Sequence, residues 1–518
     1  MKKIIFSILC LAGLMLPTSC NMNYEPIGSI VDEDALQTLS DCEKFRNGFY
    51  SAIRSLCVGG YIAYPELQTD QFIGTVSNGN NYGAINNGVI QSSDTDFEGV
   101  WGGLYGGIAD CNFFFKYAPN VLKNKDVTLS EDDMKVYNKY MAECHFARAF
   151  LYYELLNYFC PSPANPAITM DQKYGLPIVT DYYPTAKKEA YPERSTLADT
   201  YKFIEKDLAD AYDGLVEYEK YDDSSVTPMS PYVCSWTVRA LQARLALLKG
   251  DNEAAVKYAK EVIGCKVYPI TQRIAYAAMW TDDTSNEIIF RPISTATAAG
   301  IGSTGNYWNQ NNDYDTWYIP VPDLAEVGVT KVYESMQDVR YQTFISERNL
   351  LVNGSFVKAP IFNKFPGNPA LKYSGYVMLN MGKPFRISEQ YLILAEASYN
   401  TGDEVTANSM LNEIRKNRIR NYEEATYSGT NLRDEIRKER LRELIGEGFR
   451  ASDLRRWGEG FNRVVNSYMN YPQAAEIVTV AGNGVNYLPN DYRYTWPIPS
   501  AEIQVNPHMA GQQNPGYN

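Results

Sequence analysis

The chain has 518 residues, of which 45% are apolar, 21% charged and 13% aromatic. These proportions are typical of a soluble globular protein and exclude a disordered chain or a multi-span membrane protein. The formal charge of −13 argues against a general nucleic-acid binder, because nothing would neutralise the phosphates. The 41 tyrosines favour a surface that binds polar, ring-shaped ligands, whereas two histidines leave little room for histidine-based chemistry.

The N-terminus resembles a bacterial lipoprotein signal. Two lysines precede an apolar run from Ile4 to Leu16, which is too short to span a bilayer. Small residues and Cys20 follow this run. We therefore predict a signal peptide over residues 1–19, lipidation of Cys20 and a tether over residues 20–30. Ordinary cleavage near Thr18, which would release a soluble periplasmic protein, is the alternative.

Seven of the nine cysteines lie beyond the signal and Cys20, and none of them forms a Cys-x-x-Cys pair. An odd number without such a pair argues against a complete disulfide framework and against a zinc site. We expect most of them to be small buried side chains. One or two disulfide bridges among them are an open alternative.

Helical periodicity recurs along the chain. The predicted helices cover residues 40–54, 98–117, 130–159, 196–216, 231–249, 253–263, 388–401, 404–418 and 432–457. Ser130 with Asp133 three positions later predicts a capped helix start.

Two helical hairpins match each other at an offset of 152 residues. Gly250 and Asp251 in the first correspond to Gly402 and Asp403 in the second. Glycine at a tight turn and aspartate capping the next helix are typical of a tetratricopeptide-type unit. Two generic helical hairpins are the alternative.

Two loop motifs lack the surroundings that their chemistry needs. Gly300 to Gly305 match the dinucleotide fingerprint, but no strand directly precedes them and no apolar helix follows. Asp94 to Gly99 begin like a calcium loop, but Tyr105 stands where a bidentate glutamate belongs. We predict an acidic helix N-terminus there.

Four glutamates, Glu435, Glu439, Glu443 and Glu447, recur every four residues among basic side chains. This spacing predicts intrahelical ion pairs, whereas acid–base catalysis needs carboxylates that face each other across a cleft. We predict no catalytic residue and no cofactor. Whether the protein binds a structural calcium ion is left open at this point.

Residues 264–387 lack helical periodicity and are rich in glycine, proline, asparagine and aromatic residues, which indicates long loops and short strands. Within them, residues 306–318 contain five aromatic residues, and the rest are uncharged polar residues or aspartate. A ring face suits the C–H face of a pyranose, and amides and carboxylates orient its hydroxyls. We predict a sugar-binding loop, with the alternative that its aromatic residues pack on the helices. The candidate ligand-binding residues are Tyr307, Trp308, Asn309, Asp313, Tyr314 and Trp317.

A second, weaker cluster lies near the N-terminus and adds Asp70, Asn81, Tyr82 and Trp101 as candidate ligand-binding residues. Other polar and aromatic residues accompany them: Tyr61, Tyr64, Gln71, Asn80 and Tyr105. Trp101 precedes a glycine-rich helical segment and fits the core equally well.

Longer motifs are more specific. They include Trp496-Pro-Ile-Pro499 and Asn514-Pro-Gly-Tyr517 at the C-terminus, Asp453-Leu454-x-Arg456-Trp457, and Asn286 to Phe290. On these motifs the chain resembles the SusD/RagB family, the surface nutrient-binding lipoproteins of Bacteroidota outer membranes.

The resemblance implies a mainly α-helical, SusD-like fold in which four tetratricopeptide-like helical pairs support a loop-rich binding face. We expect one integrated fold with an N-terminal helical region over residues 31–263 and a C-terminal region over residues 264–518. Trp101 is similar to a tryptophan that contributes to the sugar site in the family's founding member.

The resemblance also implies a function. It predicts a non-catalytic, lipid-anchored protein at the outer membrane, facing the cell exterior, that captures oligosaccharide and delivers it to a SusC-like TonB-dependent transporter. Peptide cargo with the same transport role is the alternative, and a helical carbohydrate-active enzyme is a more distant one.

Overall fold

The computed structural model describes residues 34–295, 304–308, 315–325, 337–372 and 378–517. The α-helices of these residues are α1 (Leu39–Leu56), α2 (Gly60–Leu67), α3 (Gly83–Asn86), α4 (Thr95–Tyr117), α5 (Asn120–Lys123), α6 (Glu131–Phe159), α7 (Leu197–Glu219), α8 (Ser235–Lys249), α9 (Asn252–Gly264), α10 (Ala278–Thr281), α11 (Pro322–Ala325), α12 (Val339–Phe344), α13 (Ile387–Asn400), α14 (Glu404–Lys416), α15 (Gly429–Leu444), α16 (Arg450–Trp457) and α17 (Ser500–Val505). Short 3₁₀ helices cover Val76–Asn78, Lys188–Ala190, Arg273–Ala275, Gly305–Tyr307, Pro369–Leu371, Pro472–Ile477, Tyr492–Tyr494 and Pro507–Met509.

The strands are short and form two-stranded antiparallel sheets. They are β1 (Phe72–Gly74), β2 (Ile288–Phe290), β3 (Tyr318–Pro320), β4 (Ile345–Val352), β5 (Ser355–Phe362), β6 (Phe385–Arg386), β7 (Phe461–Arg463) and β8 (Val485–Tyr487). The pairs are β1–β3, β2–β6, β4–β5 and β7–β8. Strands β4 and β5 form a tight hairpin, and Asn353 and Gly354, both with positive φ, form its turn. The mainly helical fold that the sequence predicts is thus confirmed.

Most predicted helices begin and end within four residues of the observed bounds. The cap predicted at Ser130 is confirmed, because its hydroxyl accepts from the Asp133 amide at 3.1 Å and its own amide donates to the Asp133 carboxylate at 2.9 Å. Asp94 caps α4 and accepts from the Asp96 amide at 2.9 Å. The acidic segment at residues 94–99 is therefore a helix N-terminus, as predicted.

The single helix predicted over residues 432–457 is wrong, because the chain leaves α15 at Leu444 and starts α16 at Arg450. Gly446 and Gly448 between them adopt φ values of 77° and 87°, which L side chains rarely adopt. The buried Glu66 carboxylate from α2 accepts from the Gly448 and Phe449 amides at 2.8 and 3.0 Å. This acceptor comes from a residue nearly four hundred positions away in the sequence, so the local pattern does not reveal the break.

The two matching hairpins are α8–α9 and α13–α14. Gly250 and Gly402 both have φ 85°, and Asp251 and Asp403 each accept from a first-turn amide of the following helix. Helix α9 packs against α13, so the two units also contact each other. The predicted repeat is confirmed in this geometry.

The main core joins the two halves of the chain. Phe150 and Phe146 of α6 lie 5.7 and 6.3 Å from the ring of Phe385 in β6. Burial of such side chains supplies the dominant stabilising free energy of the fold. None of the helices formed by the described residues is both long enough and apolar enough to cross a lipid bilayer.

The glutamates of α15 form the expected ion-pair network, but its strongest members pair with other elements. The Glu443 carboxylate lies 3.0 to 3.2 Å from guanidinium nitrogens of Arg340, Arg386 and Arg418. Although burial opposes ionisation, these three cations hold the Glu443 pKa well below its ordinary value. Glu439 pairs with Arg340, Arg415 and Arg442. The network is structural because its ion pairs connect buried side chains of several elements.

Candidate functional site

Two segments that the sequence suggested separately meet in the fold. Strand β1 pairs with β3 so that Gly74 lies opposite Tyr318. Beyond the pair, the Thr75 amide donates to the Trp317 carbonyl at 2.8 Å, and the Tyr318 hydroxyl donates to the Asn81 carbonyl at 2.5 Å. These bonds fix the aromatic loop beside the turn at residues 79–83.

Four side chains form an aromatic cluster at this junction: Tyr64, Tyr82, Tyr307 and Trp317. The Tyr82 ring centre lies 5.1 Å from those of Tyr64 and Tyr307 and 6.2 Å from that of Trp317. Tyr82, Tyr307 and Trp317 are half-buried, whereas Tyr64 is buried beneath them. The cluster therefore presents ring surface to solvent from a packed base.

The backbone that presents Tyr82 is strained. Asn80 and Tyr82 have φ values of 62° and 56°, in the left-handed region, where a tyrosine costs about 1–2 kcal/mol. The turn is held by Asn78, whose side-chain oxygen accepts from the Asn80 amide at 2.7 Å. Strain of this kind persists where the surrounding structure enforces it and is concentrated at functional sites.

Polar groups border the cluster. Asp96, in the first turn of α4, lies 3.3 Å from the Tyr64 hydroxyl, and Asn80 and Asn81 are exposed on the turn. Burial and the neighbouring Asp94 raise the Asp96 pKa, while burial raises the pKa values of Tyr64 and Tyr307. The phenols are therefore neutral hydroxyls at physiological pH, able both to donate and to accept hydrogen bonds.

Trp308 does not belong to this surface, which corrects its assignment as a ligand-binding residue. Its side chain has 0% exposure and packs against the rings of Phe72 and Phe362 at 5.1 and 5.2 Å. The indole is thus a core side chain, because neither of its faces is open to a sugar. For Trp308, the alternative interpretation therefore applies, in which an aromatic residue of the loop packs against the protein and does not bind sugar.

Trp101 and Asp70 are also corrected by their surroundings. The Trp101 ring is buried against Tyr105 and Phe159, and its Nε1 donates to Glu502 at 3.4 Å. Asp70 accepts from Arg450 at 2.9 and 2.6 Å, and this partner, against the effect of burial, lowers the pKa of its carboxyl. Trp101 is therefore a core side chain, and the Asp70 carboxylate is engaged in an ion pair with Arg450.

The remaining candidates divide into two groups. Tyr82, Tyr307 and Trp317 meet in the aromatic cluster, with Asn81 exposed beside them. Asn309, Asp313, Tyr314 and the lipidation candidate Cys20 lie outside the described residues. Tyr64 and Asp96 are the site residues that the candidate set omitted. The sequence contains features that point to both, because Tyr64 belongs to the weaker N-terminal cluster and Asp96 to the acidic segment at residues 94–99.

One group of described residues has the spacing of a metal site: His145, Asp207 and Asp210. The Asp207 carboxylate already accepts from Arg148 at 2.7 and 2.8 Å and lies 2.7 Å from His145 Nδ1. Asp210 pairs with Lys206. Arg148 and Lys206 thus already pair with these carboxylates, and the group is an ion-pair network between α6 and α7.

Two family models match the sequence. The model of the SusD family matches residues 357–517, and a model described as "Starch-binding associating with outer membrane" matches residues 63–237. Together they cover more than half of the chain. No curated protein matches the sequence.

Several solved structures share the fold. A SusD superfamily protein from Bacteroides thetaiotaomicron has a TM-score of 0.73 at 23% identity, over 92% of this chain and 100% of its own. A SusD-like carbohydrate binding protein from Bacteroides vulgatus has a TM-score of 0.69 at 17% identity, over 92% and 98%. A laminarin binding SusD-like protein has a TM-score of 0.65 at 21% identity, over 93% and 100%. With the family matches and this shared architecture, the chain belongs to the SusD/RagB family.

Proposed function

We propose that this protein binds carbohydrate at the aromatic cluster and does not alter it chemically. The observation that carries the proposal is the meeting of Tyr82, Tyr307 and Trp317 as half-buried rings on a rigid base. Ring faces match the C–H faces of a pyranose, and ordered aromatic side chains lose little conformational entropy on binding.

The polar rim gives such a ligand its orientation. Asp96 and the exposed amides of Asn80 and Asn81 lie beside the rings. Carboxylate and amide groups hydrogen-bond to hydroxyls, while the rings exclude water from one face of the sugar. Hydrolysis needs two carboxyl groups on opposite sides of the scissile bond, whereas Asp96 and the neighbouring Asp94 lie together at the start of α4.

The relatives support the same ligand class. One structural neighbour is a laminarin binding SusD-like protein and another a SusD-like carbohydrate binding protein. The family description of the N-terminal match names starch binding and the outer membrane. We therefore place oligosaccharide ahead of peptide as the cargo.

The proposal includes an anchor and a partner. Acylation of Cys20 would attach the chain to the outer membrane, with its binding face towards the exterior, and a SusC-like TonB-dependent transporter would receive the glycan. Several acyl chains anchor a protein firmly, since each buried methylene contributes about 0.8 kcal/mol. Replacing Cys20 by serine should move the protein from the membrane fraction to the soluble fraction, and co-purification of the native protein should recover the transporter.

Calorimetric titration of the purified mature protein against a panel of glucan, mannan, galactan and xylan oligosaccharides tests the binding role. We expect at least one glycan to bind, and Trp317→Ala or Tyr82→Ala to weaken it by at least about tenfold, because stacked rings at hot spots contribute on that scale. Tyr183→Ala is the control, since this tyrosine is exposed and lies outside the cluster. Binding of peptides with no response to any glycan would replace carbohydrate by peptide as the cargo.

A further inference from the structure

Arg455 in α16 is a buried cation without an anionic partner. Its side chain is only 5% exposed, and no described carboxylate lies within ion-pair distance. It donates to the Cys160 carbonyl at 3.1 Å and to the Asn157 side chain at 3.2 Å, while its Nε has no acceptor. Burial of an unpaired charge is costly, so such a group calls for a counter-charge.

Two other buried arginines of this fold make more hydrogen bonds through their guanidinium groups than Arg455 does. Arg194 and Arg463 also lack a carboxylate, but their guanidinium groups make four and five hydrogen bonds to oxygen atoms. Arg455 makes two. It therefore keeps donor capacity that the protein itself does not use.

Arg455 lines a cavity that is open to solvent, here called the Arg455 cavity. The other lining residues are mostly polar or proline: Pro161, Ser162, Asn165, Ile168, Asn490, Asp491, Tyr492, Thr495 and Pro515. The cavity leaves about 60 Å³ for the centres of water molecules, which is enough for several of them. A carboxylate or sulfate group fits this space.

The lining offers both donors and an acceptor. The Asn490 side-chain oxygen is buried and has no hydrogen-bond partner. Asp491 also lines the cavity, but its carboxylate is neutralised by Arg493 at 2.8 and 2.9 Å. The excess charge at the cavity is therefore the positive charge of Arg455. Tyr492 on the rim is exposed and presents its ring to solvent.

We propose that the Arg455 cavity binds the oxyanion group of an acidic saccharide. The carboxylate of a uronic acid accepts from Arg455, a neighbouring hydroxyl donates to Asn490, and the sugar ring rests at the rim beside Tyr492. This inference rests on the proposed function and narrows its substrate class to glycans that carry acidic residues. A sulfated sugar offers the same oxyanion chemistry, whereas free sulfate lacks the hydroxyl donor.

The buried Trp496 lies near both sites, because it follows the lining residue Thr495 in the sequence and its ring centre lies 6.4 Å from that of Tyr64 in the aromatic cluster.

Titration calorimetry with matched acidic and neutral oligosaccharides tests the inference on the full mature protein. The probes are galacturonate, glucuronate and mannuronate trisaccharides, the corresponding neutral trisaccharides, a sulfated trisaccharide and sodium sulfate. We expect one acidic or sulfated probe to bind at least about tenfold more tightly than its neutral counterpart, since hydrogen bonds to charged groups are about twice as strong as neutral ones. Arg455→Gln should abolish this preference and leave neutral binding unchanged, and Arg239→Gln, outside the cavity, should keep it.

A second variant, Asn490→Gly, tests the inference in case Arg455→Gln fails to fold. Asn490 has a φ of 57°, so Asn490→Gly preserves the backbone while removing the amide, and it should weaken acidic probes selectively. Equal affinity for acidic and neutral probes, or an acid preference that survives both variants, would overturn the inference. Binding of sodium sulfate without any saccharide preference would mark an adventitious ion only and would also overturn it. Loss of all glycan binding would instead count against the proposed function.

Discussion

Trp308 and Trp317 belong to the same aromatic loop, but their surroundings are opposite. Trp308 packs against Phe72 and Phe362, while Trp317 stands half-buried beside Tyr82. Residue type and spacing do not distinguish them, because both positions satisfy the same sugar-binding pattern. The difference arises from the side chains that the fold places around each indole.

The two tryptophans should therefore respond differently to truncation. Trp308→Ala should lower the free energy of unfolding by about 3–5 kcal/mol, because it leaves a cavity in the core. Trp317→Ala should change that free energy by less than about 1 kcal/mol and act on glycan affinity instead. Urea denaturation of both variants measures the contrast, and similar losses in the two would contradict the assigned positions.

Glu154 gives a prediction on pH. Burial raises its pKa to about 7, although Arg244 opposes this shift. The Tyr158 hydroxyl donates its single proton to the Tyr61 carbonyl at 2.9 Å, so it cannot also donate to the Glu154 carboxylate. The folded state thus favours the protonated acid, and the stability that this provides is complete below about pH 4.5 and lost as the pH rises through about 7.

Glu154→Gln should remove this dependence, since the amide stays neutral at every pH. Relative to the wild type, we expect the variant to gain about 2–3 kcal/mol at pH 8 and little at pH 4.5. Urea denaturation from pH 4.5 to 8 checks the trend, with the exposed Glu43→Gln as control. A wild type whose stability rises between pH 5 and 8 relative to the glutamine variant would refute it.

At the scale of elements, glycines have two different roles. Helix α4 carries Gly99, Gly102, Gly103 and Gly106 on its exposed side, and an added methyl group at Gly106 would meet no atom within 4 Å. Gly250, in contrast, ends α8 with a φ of 85° that starts the turn into α9. The first position tolerates a side chain, whereas the second needs glycine for its backbone conformation.

Gly106→Ala should therefore raise the free energy of unfolding by about 0.5–1 kcal/mol, because alanine loses less backbone entropy in a helix. Gly250→Ala should lower it by about 1–2 kcal/mol, because an L side chain is unfavourable in the left-handed region. Thermal and urea unfolding measure both variants under the same conditions. The same sign in both would show that local backbone geometry does not decide these positions.

At the scale of the whole molecule, the buried ion network connects elements that are distant in sequence. Glu443 of α15 accepts from Arg340 of α12, Arg386 of β6 and Arg418 after α14. These side chains lie in the interior, where an unpaired guanidinium is expensive. These ion pairs therefore link the loop-rich region over residues 264–387 to helix α15.

Glu443→Gln should lower the free energy of unfolding by about 3–5 kcal/mol, since it leaves three buried arginines with less compensation. Glu435→Gln on the same helix should cost less than about 1 kcal/mol, because that side chain is partly exposed and its pairs are screened by solvent. Urea denaturation of the two variants provides the comparison. Equal losses would show that the network contributes through helix propensity alone.

Much of the architecture follows from the sequence alone. Apolar periodicity and the Ser130 cap predict α6, and the glycine–aspartate pairs at 250–251 and 402–403 predict the matching hairpins. These features are local, since a cap or a turn depends on residues a few positions apart. The long motifs near the C-terminus likewise indicate the family.

The tertiary structure decided what depends on distant partners. The break between α15 and α16 is stabilised by Glu66 from α2, and Tyr82 meets Tyr307 and Trp317 only because β1 pairs with β3. Long-range packing likewise decides whether Trp308 is core or surface and whether Asp70 is free or paired. It also decides which buried arginines lack an anion. Sequence periodicity reports which residues prefer burial, but the partners that bury them come from elsewhere in the chain, so the site became visible only in three dimensions.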